Sequence, residues 1–323
     1  MDKLSHWVGR SETLHDTIGA TPVMALAATL DHPAAAVTHG SPLPPLWHWL
    51  YFLPMHRQSD IGADGHAKRG GFMPPVPLPR RMWAGSQFEF LAPVRVGDAV
   101  ARTSTIADVT EKEGRTGKLV FVKVRHELRC NGAAEPAAVE FHDIVYREAK
   151  RATDVDPPPV AAATGAAWQR EIVPDDVLLF RYSALTFNGH RIHYDRQYVT
   201  QVEGYPGLIV HGPLIATLLM DLLRRHAPDA QVASFKFRAV RPTFDLHPFK
   251  VNGQRDGNTV KLWAQDHEGW LTMDAVATLK DQHSGAEVAE QDESDTPATT
   301  PLKAPSRHRA RVPRTVARRV ADT

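Results

Sequence analysis

Residues 181–226 read RYSALTFNGHRIHYDRQYVTQVEGYPGLIVHGPLIATLLMDLLRRH, and the fold turns on how this stretch is parsed. It opens on Tyr182 to Phe187, which reads as a short apolar strand. A polar turn follows, carrying Asn188, His190, Arg191 and His193. After a Gly/Pro-rich connection, Gly204 to Gly207, a helix is expected to begin near His211-Gly212-Pro213. Pro213 suits a first helical turn, where its missing N–H costs little. Between Leu214 and Leu223 only Thr217 and Asp221 interrupt the apolar run, which predicts a helix buried over most of its circumference. A membrane span needs about 20 apolar residues, and His211, Asp221 and Arg224 bracket a shorter run. A buried helix starting beside a polar turn marks a candidate active site.

Outward from this stretch, the totals set limits. The chain has 323 residues, room for two ordinary domains or one large one. An apolar content of 42% with 23% charged residues fits a globular protein in water. A net charge of +1 gives no electrostatic case for nucleic acid or a membrane surface, both of which call for a basic face. Cys130 is the single cysteine, so an intrachain disulfide and a Cys-rich metal site are excluded. The first residues, MDKLSHWVGRSETLHD, have no apolar signal core and carry early acidic residues, so the expected location is the cytoplasm.

Along the chain, Glu12 to Ile18 reads as a strand, and Thr21-Pro22 as a cap before a helix over Val23 to Leu30. Pro44 to Phe52 is expected to form a short buried helix stopped by Pro54. Asp60 to Phe72, with four glycines and mixed charges, reads as a mobile loop or lid. Pro74 to Pro79 should be extended. The aromatic cluster between Pro42 and Trp83 either packs as ordinary core or forms a wall for a substrate chain. Strands follow over Gln87–Leu91, Ala99–Val109, Leu119–Leu128 and Ala138–Tyr146, with turns at residues 113–117 and at Asn131-Gly132. Residues 151–167, rich in Pro and Ala, read as a linker. The second half then repeats the layout, with strands over Val232–Ala239, Phe249–Gln254, Thr259–Gln265 and Trp270–Lys280. Phe88-Glu89-Phe90 faintly echoes Phe235-Lys236-Phe237, which suggests an internal duplication. From about Ser284 few bulky apolar side chains remain, and a disordered tail over residues 284–323 is expected.

The segment SALTFNGHRIH has the spacing of a known acid–base motif. It resembles the MaoC-like hydratases of the hotdog fold, in which an Asp is followed by a His five positions on. Asn188 stands in the Asp position and His193 in the His position. Phe187 stands where the motif has Gly, and His190 and Arg191 where it has Asn and Pro. Val210-His211-Gly212-Pro213 is similar to the start of that family's central helix. The Asn and the long amino-terminal half resemble the two-hotdog members most: the FAS1-like dehydratases, the type-2 hydroxyacyl-thioester dehydratases and the mesaconyl-CoA (methylfumaryl-CoA) hydratases. The resemblance covers roughly residues 5 to 280 and is sharpest over residues 180–220.

It implies an α+β double hotdog, two antiparallel sheets each wrapped around a central helix. The amino-terminal hotdog would be residues 1–150, non-catalytic and pocket-shaping. The carboxy-terminal one, residues 168–281, would carry the active site. The implied activity is addition of water to a 2-enoyl thioester, or the reverse, with mesaconyl-CoA to citramalyl-CoA as first choice. A fatty-acyl 3-hydroxyacyl-thioester dehydratase is the runner-up. A hotdog thioesterase and a non-catalytic acyl-CoA-binding protein are the other readings.

Such a reaction needs a group to deprotonate water, a group to protonate the α-carbon and support for the enolate oxygen. His193 suits the acid–base work, since an imidazole titrates near neutral pH. Asn188 holds water through its amide but cannot take its proton. Either His193 relays both protons, or a second group assists. The Gly212 N–H, at the positive end of the buried helix, is the expected oxyanion donor, as the resemblance also implies. Arg191, with His190 beside it, is a partner for a distal substrate carboxylate, and Arg80 and Arg81 for carrier phosphates. Tyr182 completes the expected substrate contacts. No metal and no cofactor are expected, only CoA or an acyl carrier as part of the substrate: besides His190 and His193, only Asp195 offers a ligand. A homodimer is the expected assembly.

Overall fold

Alternating side chains in both halves of the chain build strands, and the computed structural model assembles them into one antiparallel sheet of ten. It describes residues 4–33, 36–68, 70–114, 117–149 and 157–281. The first half contributes β1 (Ser11–Thr17), α1 (Ala20–Thr29), β2 (Arg80–Phe90), β3 (Ala99–Gly114), β4 (Gly117–Cys130) and β5 (Ala138–Arg147). The second contributes β6 (Trp168–Ile172), α2 (Asp176–Leu185), α3 (Arg196–Gln201), α4 (Gly212–His226), β7 (Val232–Ala239), β8 (Phe249–Asp256), β9 (Thr259–Gln265) and β10 (Leu271–Leu279). The sheet order is β1-β3-β4-β5-β2-β7-β10-β9-β8-β6, so the two half-sheets meet where β2 pairs with β7.

At that seam Phe88 lies opposite Phe235, with ring centroids 6.2 Å apart. The faint sequence echo therefore falls on the two strands that join the halves. Gly85 is required there. A Cβ on it would sit 2.3 Å from the Phe237 carbonyl oxygen, closer than any side-chain atom can approach.

Helix α4 is the centre of the second half. Every residue from Leu214 to Leu223 is buried, as the apolar run predicts, and the helix packs on β6, β8, β9 and β10. Each such leucine withdrawn from water contributes about 2–3 kcal/mol. Asp221 is buried among them because it is fully paired. Arg225 Nε (2.7 Å), Arg170 Nη1 (3.2 Å) and His32 Nε2 (2.5 Å) all reach its carboxylate. The same two arginines donate to the Leu30 carbonyl at the end of α1, which ties α1 to α4. None of the described helices is long and apolar enough to cross a membrane.

Several expectations are corrected. Tyr182 to Phe187 is not a strand but the last turns of α2 and the residues that end it. Asp175 caps that helix by accepting from the Leu178 N–H at 2.8 Å, and its buried residues Leu179, Tyr182 and Ser183 recur at helical spacing. Pro44 to Phe52 contains only a single 3-10 turn, Trp47–Leu50, because Leu46 before it is in the left-handed region at φ 72°. The cap of α1 is Gly19, with Thr21 and Pro22 inside the first turn, where proline is tolerated. Strand β6 and helix α3 are additions to the expected layout. The expected linker lies partly outside the described residues, and the expected tail wholly so.

Candidate active site

The polar turn begins where α2 stops. Phe187 turns left-handed (φ 49°), and the Asn188 N–H reaches back to the Ser183 carbonyl at 2.8 Å. A 3-10 turn over Arg191–His193 follows, and Asp195 caps α3 by accepting from the Tyr198 N–H at 2.9 Å. The returning chain is pinned twice to this turn. The Ile209 N–H donates to the Ile192 carbonyl (3.0 Å), and His193 Nδ1 donates to the Ile209 carbonyl (2.7 Å). Three residues later α4 starts, so His193 is held at its amino end.

These bonds fix what His193 can do. With Nδ1 carrying the proton shared with Ile209, Nε2 carries the lone pair. Burial pushes the imidazole down to about 4, so near pH 7 it is neutral and its Nε2 is unprotonated. Behind it lies His211, stacked at 3.8 Å and fully buried. His211 Nε2 pairs with Ser183 Oγ at 2.8 Å, and the Tyr182 ring meets its edge at 5.1 Å. Tyr182, expected as a substrate contact, is itself only 2% exposed and supports His211 from beneath.

Gly212 opens α4 with no side-chain cap on its free N–H groups, and a Cβ on it would meet open space. Pro213 has no N–H, so Gly212 and Leu214 are the first donors of the helix. An oxygen with developing negative charge fits there. Asn188 has less freedom than expected. Its Oδ1 accepts from the His190 N–H at 3.0 Å, leaving only the amide NH2 for water.

A hairpin from the first half closes over the turn. Ile61 bridges Ala67, the Asp64 carbonyl accepts from the Arg191 N–H at 2.9 Å, and the Ala63 carbonyl from Arg191 Nη1 at 2.9 Å. Gly65 lies so near Gly189 that a Cβ on it would fall 1.8 Å from the Gly189 oxygen. This part of the expected lid is thus a pinned element of the site. It brings His66 onto His190, ring centroids 3.9 Å apart, while His190 meets His193 edge-on at 5.4 Å. Four imidazoles, 66, 190, 193 and 211, stand in a row. Burial pushes His190 down to about 2. Asp64 accepts from His66 Nδ1 at 3.1 Å and from the His66 N–H at 3.0 Å, and this holds its carboxyl well below the usual range.

The arginines divide differently from expectation. Arg191 is spent: Nε and Nη2 both bind Asp195 (2.9 and 2.7 Å), and its guanidinium lies 4.1 Å from the centre of the Tyr198 ring. It is not available for a substrate carboxylate. Arg80 donates to the Tyr205 hydroxyl and sits over that ring. Arg81 is exposed, its side chain has no hydrogen-bond or ion-pair partner among the described residues, and it lies close enough to His190 to disfavour that ring's protonation. Asp195, the carboxylate considered for a metal, belongs to Arg191. The ligand atoms of Asp64, His66 and His190 lie within 4.8 Å of one another, a grouping that the sequence reading missed. Its one local signal is the Asp-x-His spacing in a glycine-rich loop.

The chain is 47% identical over 282 residues to the mesaconyl-C(4)-CoA hydratase of Chloroflexus aurantiacus, covering 84% of this chain and 96% of that one. Among solved structures, a MaoC-like dehydratase superposes with a TM-score of 0.64 at 15% identity, covering 86% of this chain and 99% of that one. A Mycobacterium tuberculosis protein described as a double hotdog superposes at 0.52 with 12% identity, covering 84% and 96%. The architecture is that double hotdog, an α+β fold. Residues 46–245 match the profile of the hydroxyacyl-thioester dehydratase type 2 family, a span that includes the hairpin, the polar turn and the start of α4. With that match and the 47% relative, the chain belongs to the hydroxyacyl-thioester dehydratase type 2 family.

Proposed function

We propose that this chain hydrates a 2-enoyl-CoA thioester carrying a second, free carboxylate: mesaconyl-C4-CoA, converted to citramalyl-CoA. The observation that carries the reading is the placement of an unprotonated imidazole nitrogen, His193 Nε2, beside the uncapped start of α4. His193 takes a proton from water as the oxygen bonds to the β-carbon. The C=C electrons move onto the thioester oxygen, which the Gly212 N–H stabilises; such a donor contributes about 3 kcal/mol to the transition state. Asn188 donates to the water oxygen through its amide. The free carboxylate of this substrate hangs from the β-carbon, and Arg81, exposed and unpaired among the described residues, is its partner. The 47% identity to a hydratase named for this substrate supports the choice of acyl group. By microscopic reversibility the same groups remove water from a 3-hydroxyacyl thioester, in keeping with the family name.

The proposal includes a homodimer in the cytoplasm working without metal or cofactor, because acid–base groups and hydrogen-bond donors suffice for this chemistry. The test is loss of conjugated enoyl absorbance with mesaconyl-C4-CoA and, separately, crotonyl-CoA. His193→Ala should lower kcat by about 10²–10⁴-fold. Release of free CoA thiol with the C=C intact would make the protein a thioesterase. Water addition at the original rate in His193→Ala would remove the histidine from the mechanism.

A further inference from the structure

We propose that His66, backed by Asp64, is the second proton-transfer group of the site, delivering the proton that the substrate α-carbon receives. This assignment rests on the hydratase reading above. Hydration moves two protons, and His193 accounts for the one leaving water. Asn188 stands where the resembling hydratases have a carboxylate, and an amide transfers no proton.

The neighbours narrow the choice. His211 is fully buried with its Nε2 against Ser183 Oγ. His190 lies between the His66 and His193 rings, and among the described residues no carboxylate hydrogen-bonds to its ring. Arg191 is bound to Asp195 and the Ala63 carbonyl. His66 alone combines a carboxylate partner with an open edge. Its Nδ1 faces Asp64 Oδ2 at 3.1 Å, its side chain is 28% exposed, and Nε2 is the nitrogen left for a substrate. The pair sits on a hairpin with three fixings to the catalytic turn: the Gly65–Gly189 contact and two bonds from Arg191 to the Asp64 and Ala63 carbonyls. A carboxylate behind a histidine fixes its tautomer and stabilises its imidazolium, which is what a proton donor needs.

The step balances. His193 Nε2 takes a proton from water as the O–Cβ bond forms, and the π electrons pass to the thioester oxygen. The resulting enolate re-forms its carbonyl as the α-carbon takes the Nε2 proton of imidazolium His66, leaving that ring neutral. His193 then loses its proton to solvent and His66 regains one, so one water is consumed. Asp64, His66 and His190 are also close enough to chelate a cation, but both Asp64 oxygens are already engaged by His66, one by the ring and one by the backbone.

The test uses the full chain with mesaconyl-C4-CoA. His66→Gln should lower kcat about 10²–10³-fold with KM within threefold, and Asp64→Asn should lower it about tenfold with His66 still present. Added imidazole should restore turnover to His66→Gly, and in D2O the rescued product should carry deuterium at the α-carbon. A purely structural His66 would show no such rescue. Thermal midpoints of the variants report whether they are folded. A kcat for His66→Gln within threefold of the parent, with His193→Ala still impaired, overturns the assignment of His66 alone. A parent protein that hydrates no enoyl thioester overturns the reaction and this assignment together. Activity lost to a chelator and restored by one equivalent of Zn2+ overturns it in favour of a cation held by Asp64, His66 and His190.

Discussion

Replacing Gly65 by alanine should drive the hairpin off the polar turn. Gly65 has φ +90°, and a methyl there would stand 1.8 Å from the Gly189 oxygen and 2.7 Å from its carbon. An ordinary C···O contact is about 3.3 Å or more, so one segment must retreat by about 1.5 Å. The backbone conformation itself costs an L residue about 1–3 kcal/mol. The Arg191 N–H bond to the Asp64 carbonyl, now 2.9 Å, does not survive such a shift and takes about 1 kcal/mol with it. A displacement of about 1 Å in a catalytic group can cost about 10²-fold in rate. Gly65→Ala should therefore lower kcat by about two orders of magnitude while the thermal midpoint falls by several degrees. Gly189→Ala is the internal comparison. Its Cβ would meet the Gly65 oxygen at 3.0 Å, so only a few tenths of an ångström must be given up. Both variants can be read by the loss of enoyl absorbance and by circular dichroism on heating. Parent-like kcat and melting in Gly65→Ala would mean that the hairpin does not rest on the turn, and the reasoning fails.

Acid should unfold the protein through its buried histidines. Burial depresses His193 and His126 to about 4, below the 6.5 of an unfolded histidine, so the unfolded chain binds more protons between those values. The stability they contribute is complete above pH 6.5 and is lost as pH falls toward 4, about 3 kcal/mol for His193 alone. Urea midpoints measured across that window should fall steeply; a flat profile would contradict the burial. Asp221→Ala should destabilise by about 3–5 kcal/mol, since it strands Arg170 and Arg225 against a buried helix. A change below 1 kcal/mol in urea unfolding would show that the cluster does not hold α1 to α4.

The sequence makes α4 legible because ten consecutive residues are withdrawn from water, leaving a long apolar run with paired Asp221 inside it. Most strands of both meanders are legible from alternation, but β2 begins at Arg80, seven residues before the expected Gln87, and β3 runs on to Gly114 past the expected Val109. Helix α2 is misread because Tyr182 is a late residue of it. The cap at Asp175 and the buried Leu179 lie upstream, and the apolar fragment that remains carries no period long enough to decide. The candidate base and the start of α4 are near each other in sequence and follow from spacing. Asp64 and His66 do not, since they reach the site from the other half through glycine contacts that no local pattern encodes. The fate of Arg191 was readable in principle from its i,i+4 spacing to Asp195.

The strand-to-strand joint between β2 and β7 makes the two halves inseparable partners of unequal duty. Two identical subunits meeting along such an edge would present the same loop twice, each bound to whatever its own turn requires. Fused in one polypeptide, the half without a polar turn is released from that symmetry and can lend its hairpin to the other. The loop of the first half that bears Asp64 and His66 is thereby free to serve the turn of the second, a use that linkage permits.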